Sequence, residues 1–486
     1  MLSSRRSGFV HLTAIAMAGA LVLAACSEPE DDAEDTTTTE PAETEPAETE
    51  AAAGTEPVET DAPVETDAPV ETDAPVETDA PVETDAPVDD GSVVSSFAGE
   101  EWFLGEVPGS AIAADGSLEP IKLGLINQEN TPIGSFPEVR AAAEAAAAWV
   151  NAELGGVDGH PVEIHTCITP FDVEQSQSCA LELVDKGVVA LVGGVDILSN
   201  GAYPVIEQNG LAVIGGIPTN MVEQTSSNAF FFSGATAGTV AGFMGHAAES
   251  GRTKVALAYG EDVESFKVGA VDYGAAVGES LGLEVELIPF SLFATDYLPV
   301  LTKAQEVGAD AVIVLAADAA CVPVAQTFVD LGIEGQLYMS GGCAAEEIFD
   351  AAGEAMVGVL FNSEGPLEPG DVEGEMFYAV LDEYATEPAL GAGTVGFRGF
   401  MNLYSLLLDA GPENANSEVL MDLARAAVDR PSFWGHPYTC DGNQVPGLPS
   451  LCAPQQVLFT LPAVGEDLEG VTDWIPTDEL LVAALG

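Results

Sequence analysis

Ser199 and Thr219 are the hydroxyl residues best placed by position to hold a small molecule. From Val188 the chain reads Val-Val-Ala-Leu-Val-Gly-Gly, then Val-Asp-Ile-Leu-Ser-Asn to Asn200. After a short helical run to Gly210, a second apolar run, Leu211 to Ile214, ends in Gly-Gly-Ile-Pro-Thr219. Both runs are short, β-branched and bounded by glycine, the pattern of strands buried on both faces. Each opens into a polar loop. In an open parallel sheet, ligands lie beyond the carboxyl ends of strands, where helix N-termini aim unpaired N–H groups at them. Asp196, Ser199 and Asn200 in the first loop, with Ile217 and Thr219 in the second, are expected to form half of a small-molecule cleft. The Ser199 hydroxyl is also placed to cap the helix between the two runs.

Catalytic patterns are weak by comparison. Gly278-Glu-Ser-Leu-Gly282 matches the Gly-x-Ser-x-Gly pattern of serine hydrolases. That chemistry needs a strand before the serine and a helix after it. Here a helical pattern precedes and a strand pattern follows, so Gly282 reads as a helix stop. The chain has no phosphate loop, no His-Glu-x-x-His and no Gly-x-Gly-x-x-Gly. The reading is of a protein that is not an enzyme and takes neither cofactor nor metal.

The elements around these loops alternate. Strands are expected at Ile121–Ile126, Val162–Thr166, Lys254–Tyr259, Leu283–Ile288, Asp310–Leu315 and Gln336–Met339. Helices are expected at Pro137–Leu154, Val173–Lys186, Tyr297–Val307 and Val322–Leu331, with a mainly helical stretch over 371–430. Short strands alternating with helices imply parallel sheets covered on both faces. The fold class is therefore α/β, as two Rossmann-like parallel-sheet lobes joined by a hinge. The first lobe is assigned to 119–240 and 365–430, the second to 241–364 and 431–486. A cysteine-bridged hairpin is expected within Phe433–Thr460.

Composition sets the surroundings. The formal charge is −68, with only 12 Lys and Arg in 486 residues. Nucleic acid binding needs a basic footprint and is excluded. Arg5 and Arg6, the apolar run from Phe9, and Leu23-Ala-Ala-Cys26 read as an export signal over 1–26 with a bacterial lipobox. Cys26 would carry the lipid. Residues 27–118 read as an acidic linker, with five copies of Pro-Val-Glu-Thr-Asp-Ala between Pro57 and Ala86. One Val per repeat is too little to build a core, and proline with like charge favours an extended spacer. The other six cysteines, Cys167, Cys179, Cys321, Cys343, Cys440 and Cys452, suit an exported, oxidising environment. Sequential pairing is the simplest of the 15 possible connectivities. Zinc ligation is the rival, but no Cys-x-x-Cys spacing supports it.

The order of motifs from Ile121 to about Thr460 resembles the type I periplasmic binding proteins, the branched-chain amino-acid group in particular. The matching pieces are Ile121-Lys-Leu-Gly-Leu, Thr131-Pro-Ile-Gly-Ser-Phe136, Val150-Asn-Ala-Glu-Leu-Gly-Gly, Ala190-Leu-Val-Gly-Gly, Ile214-Gly-Gly-Ile-Pro-Thr219 and Gly308-Ala-Asp-Ala-Val-Ile-Val. The resemblance implies a lipid-anchored, monomeric solute-binding protein on the outer face of the cytoplasmic membrane. It would deliver an amino acid or a relative to ABC permease subunits. A ligand sensor for a signalling system is the alternative. By motif position, Phe136 stands where the family often has an aromatic. Asp318 follows the second lobe's Val-Ile-Val-Leu strand. Near Phe266 the family often has Tyr-Gly, and this chain departs from it with Glu264-Ser-Phe266. The ligand's carboxylate would meet helix N-termini near Ser199 and Phe136, and Asp196 or Asp318 would face its ammonium.

Overall fold

The computed structural model describes residues 91–131, 134–366 and 370–486, which fall in one compact unit. The signal, Cys26 and the hexapeptide repeats lie outside the described residues. Fourteen strands are named in chain order. A small hairpin pairs β1 (Glu101–Trp102) with β2 (Gly105–Glu106). The first lobe holds β3 (Ile121–Gln128), β4 (Val162–Thr169), β5 (Ala190–Val192), β6 (Val213–Ile214) and β7 (Ala229–Phe230). These form a parallel sheet in the order β4-β3-β5-β6-β7. The second lobe holds β8 (Lys254–Gly260), β9 (Glu284–Phe290), β10 (Ala311–Leu315), β11 (Gln336–Met339), β12 (Leu360–Ser363), β13 (Val457–Thr460) and β14 (Glu469–Gly470). Their order is β14-β13-β12-β11-β10-β8-β9, with β13 antiparallel to both neighbours.

Both sheets follow the doubly wound order in which the chain reverses direction beside its first strand. The reversal lies between β3 and β5 in the first lobe and between β8 and β10 in the second. The loops after those four strands are therefore where a crevice opens. The chain between them folds as its pattern dictates. Asp172 caps the helix Val173–Lys186 by accepting from the Gln175 N–H at 2.8 Å, and Gly187 ends it in the left-handed region. Pro137 opens the alanine-rich helix Pro137–Glu153, which packs on the helix Gly393–Ala410. The helical stretch from Glu264 to Ser280 contains a π-helical segment at Gly269–Gly274.

Three boundaries differ from the sequence reading. Residues 91–118 belong to the first lobe's core rather than to a linker. Val94, Val107 and Trp102 are buried. The Val93 and Val94 N–H groups donate to the buried Glu153 carboxylate at 3.1 and 2.9 Å, which also receives Trp149 Nε1 and the Tyr384 hydroxyl. These few apolar residues are invisible to periodicity because they sit in a hairpin and one helical turn. Secondly, Phe433, Tyr438, Cys440, Cys452 and Ala453 pack in the first lobe's core, so the return to the second lobe comes near Pro454. Thirdly, the expected hairpin within Phe433–Thr460 is absent. Residues 440–452 form a bridged loop, and Val457–Thr460 joins β12 instead. The six cysteines are joined as Cys167–Cys179, Cys321–Cys343 and Cys440–Cys452.

Candidate functional site

The first lobe's mouth is built on two amides that end β3. Asn127 and Gln128 are fully buried. Asn127 Nδ2 donates to the Phe136 carbonyl at 2.7 Å, and its Oδ1 accepts from the Val195 N–H at 3.2 Å. Gln128 does the same for the Gly134 carbonyl and the Ile197 N–H, at 2.8 and 3.3 Å. Together they clamp the loop before Phe136 to the loop after β5. The glycine pairs closing β5 and β6 answer to close approach. A Cβ on Gly193 would strike the Gly215 carbonyl, and one on Gly215, at φ 84°, would meet the Gly399 Cα at 2.5 Å.

Within this frame the expected residues separate. Asp196 is buried, and its carboxylate accepts from the Ser176 hydroxyl at 2.6 Å and the Leu198 N–H at 3.1 Å. Burial raises its pKa, against the lowering effect of the Ser176 bond. Ser199 does not cap the intervening helix. That helix begins at Tyr203, and its N-cap position, Ala202, makes no side-chain bond. The Ser199 hydroxyl is sealed from solvent and sits beside the Glu223 carboxyl, at the margin of hydrogen-bond reach. Asn200 is exposed. Ile217 and Thr219 are half-buried, and the Ile217 N–H donates to the Gly194 carbonyl at 3.3 Å. Thr219 donates its N–H to Glu223 at 2.7 Å, and its hydroxyl lies 3.2 Å from the Asp196 carbonyl. Phe136 is half-buried, with its main chain held by Asn127 and Gln128.

In the second lobe, Phe266 is half-buried and packs on the core beside Gly260. Asp318 stands at the reversal point after β10 and is exposed on one side. A Cβ on Gly342 would approach its Oδ1 to 2.7 Å, so the loop after β11 passes close to this side chain. Desolvation by the surrounding protein and then the charge of Glu347 raise its pKa. Asp318 and Glu347 also act on Glu138, in the first turn of Pro137–Glu153, whose pKa is raised first by burial. Arg140, two residues further along the same helix, is held by Glu129 at 2.8 Å, Glu387 at 2.7 Å and Glu144 at 3.3 Å. Sequence reasoning missed Asn127, Gln128, Glu138 and Glu223. The signal for the amides was a polar pair ending an otherwise apolar strand.

The lobes are joined by three crossovers, after β7, after β12 and before β13. One carboxylate ties all three. Glu364 Oε1 accepts from the Ser233 hydroxyl at 2.6 Å, the Gly234 N–H at 2.9 Å and Gln456 Nε2 at 3.3 Å. Its Oε2 pairs with Arg398 at 3.2 Å, and Arg398 also donates to the Glu364 carbonyl. Arg398 is 9 % exposed, and burial lowers its pKa against the raising effect of Glu364. Ala235 holds φ 48° at the first crossover, a left-handed conformation that costs a non-glycine residue about 1–2 kcal/mol. The bridged loop 440–452 straps the same side. The Ser450 hydroxyl donates to the Gln224 carbonyl of the first lobe at 2.8 Å, and the Tyr273 hydroxyl of the second lobe donates to the Pro446 carbonyl at 2.9 Å. Val445, Leu448 and Leu451 are buried in a cluster that runs from Phe231 to Tyr273. Among the described residues no group of His, Cys, Asp and Glu is arranged to hold a metal, and no helix is long and apolar enough to cross a membrane.

Solved structures share this architecture at low identity. A leucine-binding protein from Thermotoga maritima aligns over 74% of this chain and 99% of its own, at 18% identity and TM-score 0.60. A fatty acid ABC transporter substrate-binding protein from Thermomonospora curvata aligns over 76% and 96%, at 17% identity and TM-score 0.62. An ABC transporter solute-binding protein from R. palustris, in complex with 4-hydroxybenzoate, aligns over 74% and 98%, at 18% and 0.61. No curated relative matches the chain. The model of the periplasmic binding protein family matches residues 120–404, more than half of the chain, with the two-lobed fold just described, and the chain belongs to that family.

Proposed function

We propose that this chain is the extracytoplasmic solute-binding component of an ABC importer. It captures a small polar solute, an amino acid or a relative, between its lobes and delivers it to permease subunits. A lipid on Cys26 holds it to the outer face of the cytoplasmic membrane. The observation that carries the reading is the pair of reversal points, one per lobe, in two parallel-sheet lobes joined by three crossovers. Ligands of open α/β sheets bind at such points, and crossovers that bend while the sheets stay rigid allow hinge closure. Neighbours of the same fold are described as binding leucine, a fatty acid and 4-hydroxybenzoate. The fold therefore suits small organic solutes, and the amino-acid reading rests on the motif resemblance.

Closure would expel water and strengthen polar contacts by lowering the local dielectric. It would also present one composite surface to the permease. The test is a calorimetric screen of amino acids, small amides, amines and acids, followed by small-angle scattering with and without each hit. A bound state with a smaller radius of gyration is expected. A hit that binds without compaction would rule out hinge closure.

A further inference from the structure

We propose that Glu223 decides what the crevice accepts. Its carboxyl takes the hydrogen-bond donors after β6 that a ligand carboxylate would need, so the solute presents an amine or an amide to this wall. The inference rests on the reading above, that the crevice between the lobes is the solute site.

Glu223 is buried, 5 % exposed, four residues beyond Thr219. Its Oε2 accepts from the Thr219 N–H at 2.7 Å and the Asn220 N–H at 2.8 Å, with the Thr219 hydroxyl at 3.4 Å. The Ser199 hydroxyl lies beside it. Ser199 and Thr219 are the hydroxyl residues that the sequence reading assigned to the ligand. In the first loop the Leu198 N–H is engaged by Asp196 and the Ile197 N–H by Gln128. The second expected carboxylate position, the helix start at Phe136, already carries Glu138 in its first turn.

The guanidinium of Arg140 is taken by Glu129, Glu144 and Glu387. A ligand carboxylate here would lose its water without the Thr219 and Asn220 N–H groups to replace it. An ammonium or amide N–H instead meets acceptors. Capping of the short helix Met221–Gln224 by Asn220 and Glu223 explains the two main-chain bonds. It does not lessen the exclusion, because an N–H that caps is not available to a ligand.

The experiment measures paired probes by calorimetry on the full-length protein: L-leucine against L-leucinamide, and 4-methylpentanoate against isopentylamine. Wild type is expected to favour the carboxylate-free member of a pair at least tenfold. Glu223→Ala frees the donors, and Glu223→Gln keeps the acceptor for the cap while adding a side-chain N–H. Glu223→Ala is expected to shift the preference at least tenfold toward the acid, and Glu223→Gln, in which the cap still occupies the donors, to leave it near wild type. Wild type binding leucine as tightly as leucinamide, or an unchanged preference in Glu223→Ala, overturns the role of Glu223. In that case compaction on leucine, seen by scattering, would leave the solute-binding reading standing. If no probe of either kind binds to wild type or variants and none compacts it, the solute-binding reading falls and the inference with it.

Discussion

Glu223 and Glu373 show what a buried carboxyl costs when its partners are neutral donors. Burial pushes Glu223 up to about 8 from an ordinary 4.5, partly offset by the N–H bonds of Asn220 and Thr219. Glu373, which ties the Phe103 and Trp434 N–H groups together, is raised by the same cause to about 7. A raised carboxyl pKa means that the folded state holds a proton that the unfolded chain has released. For Glu223 the stability of the protonated form is fully present below about pH 4.5 and is lost as pH rises through about 8. The slope is at most about 1.4 kcal/mol per pH unit for one proton. Glu223→Gln, neutral at every pH, should therefore melt near wild type at pH 5 and above it at pH 9. Equal melting offsets at both pH values would show that Glu223 is not a buried acid.

At the scale of elements, the hinge depends on one ion pair among main-chain and side-chain donors. Removing one member of a buried pair strands the other, at about 3–5 kcal/mol, whereas replacing both by apolar groups can be nearly neutral. Glu364→Ala should lower unfolding free energy by about that amount, measured in denaturant. Glu364→Leu combined with Arg398→Met should recover much of it. An equal loss in both variants would mean that the hydrogen bonds to Ser233, Gly234 and Gln456, not the charge pair, hold the crossovers. The disulfides act on a different state. Each closes a short loop, and the chain-entropy model gives roughly 3 kcal/mol apiece through the unfolded chain. Non-reducing peptide mapping should recover Cys167–Cys179, Cys321–Cys343 and Cys440–Cys452. Free thiols or cross-paired peptides would contradict the arrangement in the structure.

For the whole molecule, the acidic exterior and the expected tether belong together. Export, a lipid at Cys26 and a repulsive spacer would hold a charged body away from an anionic membrane. Cys26→Ser should move the protein from the membrane fraction to the soluble fraction. Retention of an unprocessed form indistinguishable from the parent would contradict lipidation.

The elements were legible in the sequence because their signals are local. Val173–Lys186 carries its own cap and stop, and the apolar runs at β3, β8 and β10 need no partner to be recognised as buried strands. The alternation of those runs with helices was enough for two parallel-sheet lobes, because a parallel strand requires a crossover. Motif order was enough to suggest the family. Local pattern could not show which donors remain free. Ser199 and Thr219 lie in the loops after β5 and β6. The tertiary structure alone decides that Glu223, Asp196 and Gln128 take the donors beside them. It alone brings Ser233, Glu364, Arg398 and Gln456, more than 200 residues apart at the extremes, to a single carboxylate. Such contacts follow from chain topology, which sets distance in space independently of distance along the sequence. The same reason folds 91–118 onto the first lobe, since Val94 and Trp102 become core residues only where Glu153 and Trp149 meet them.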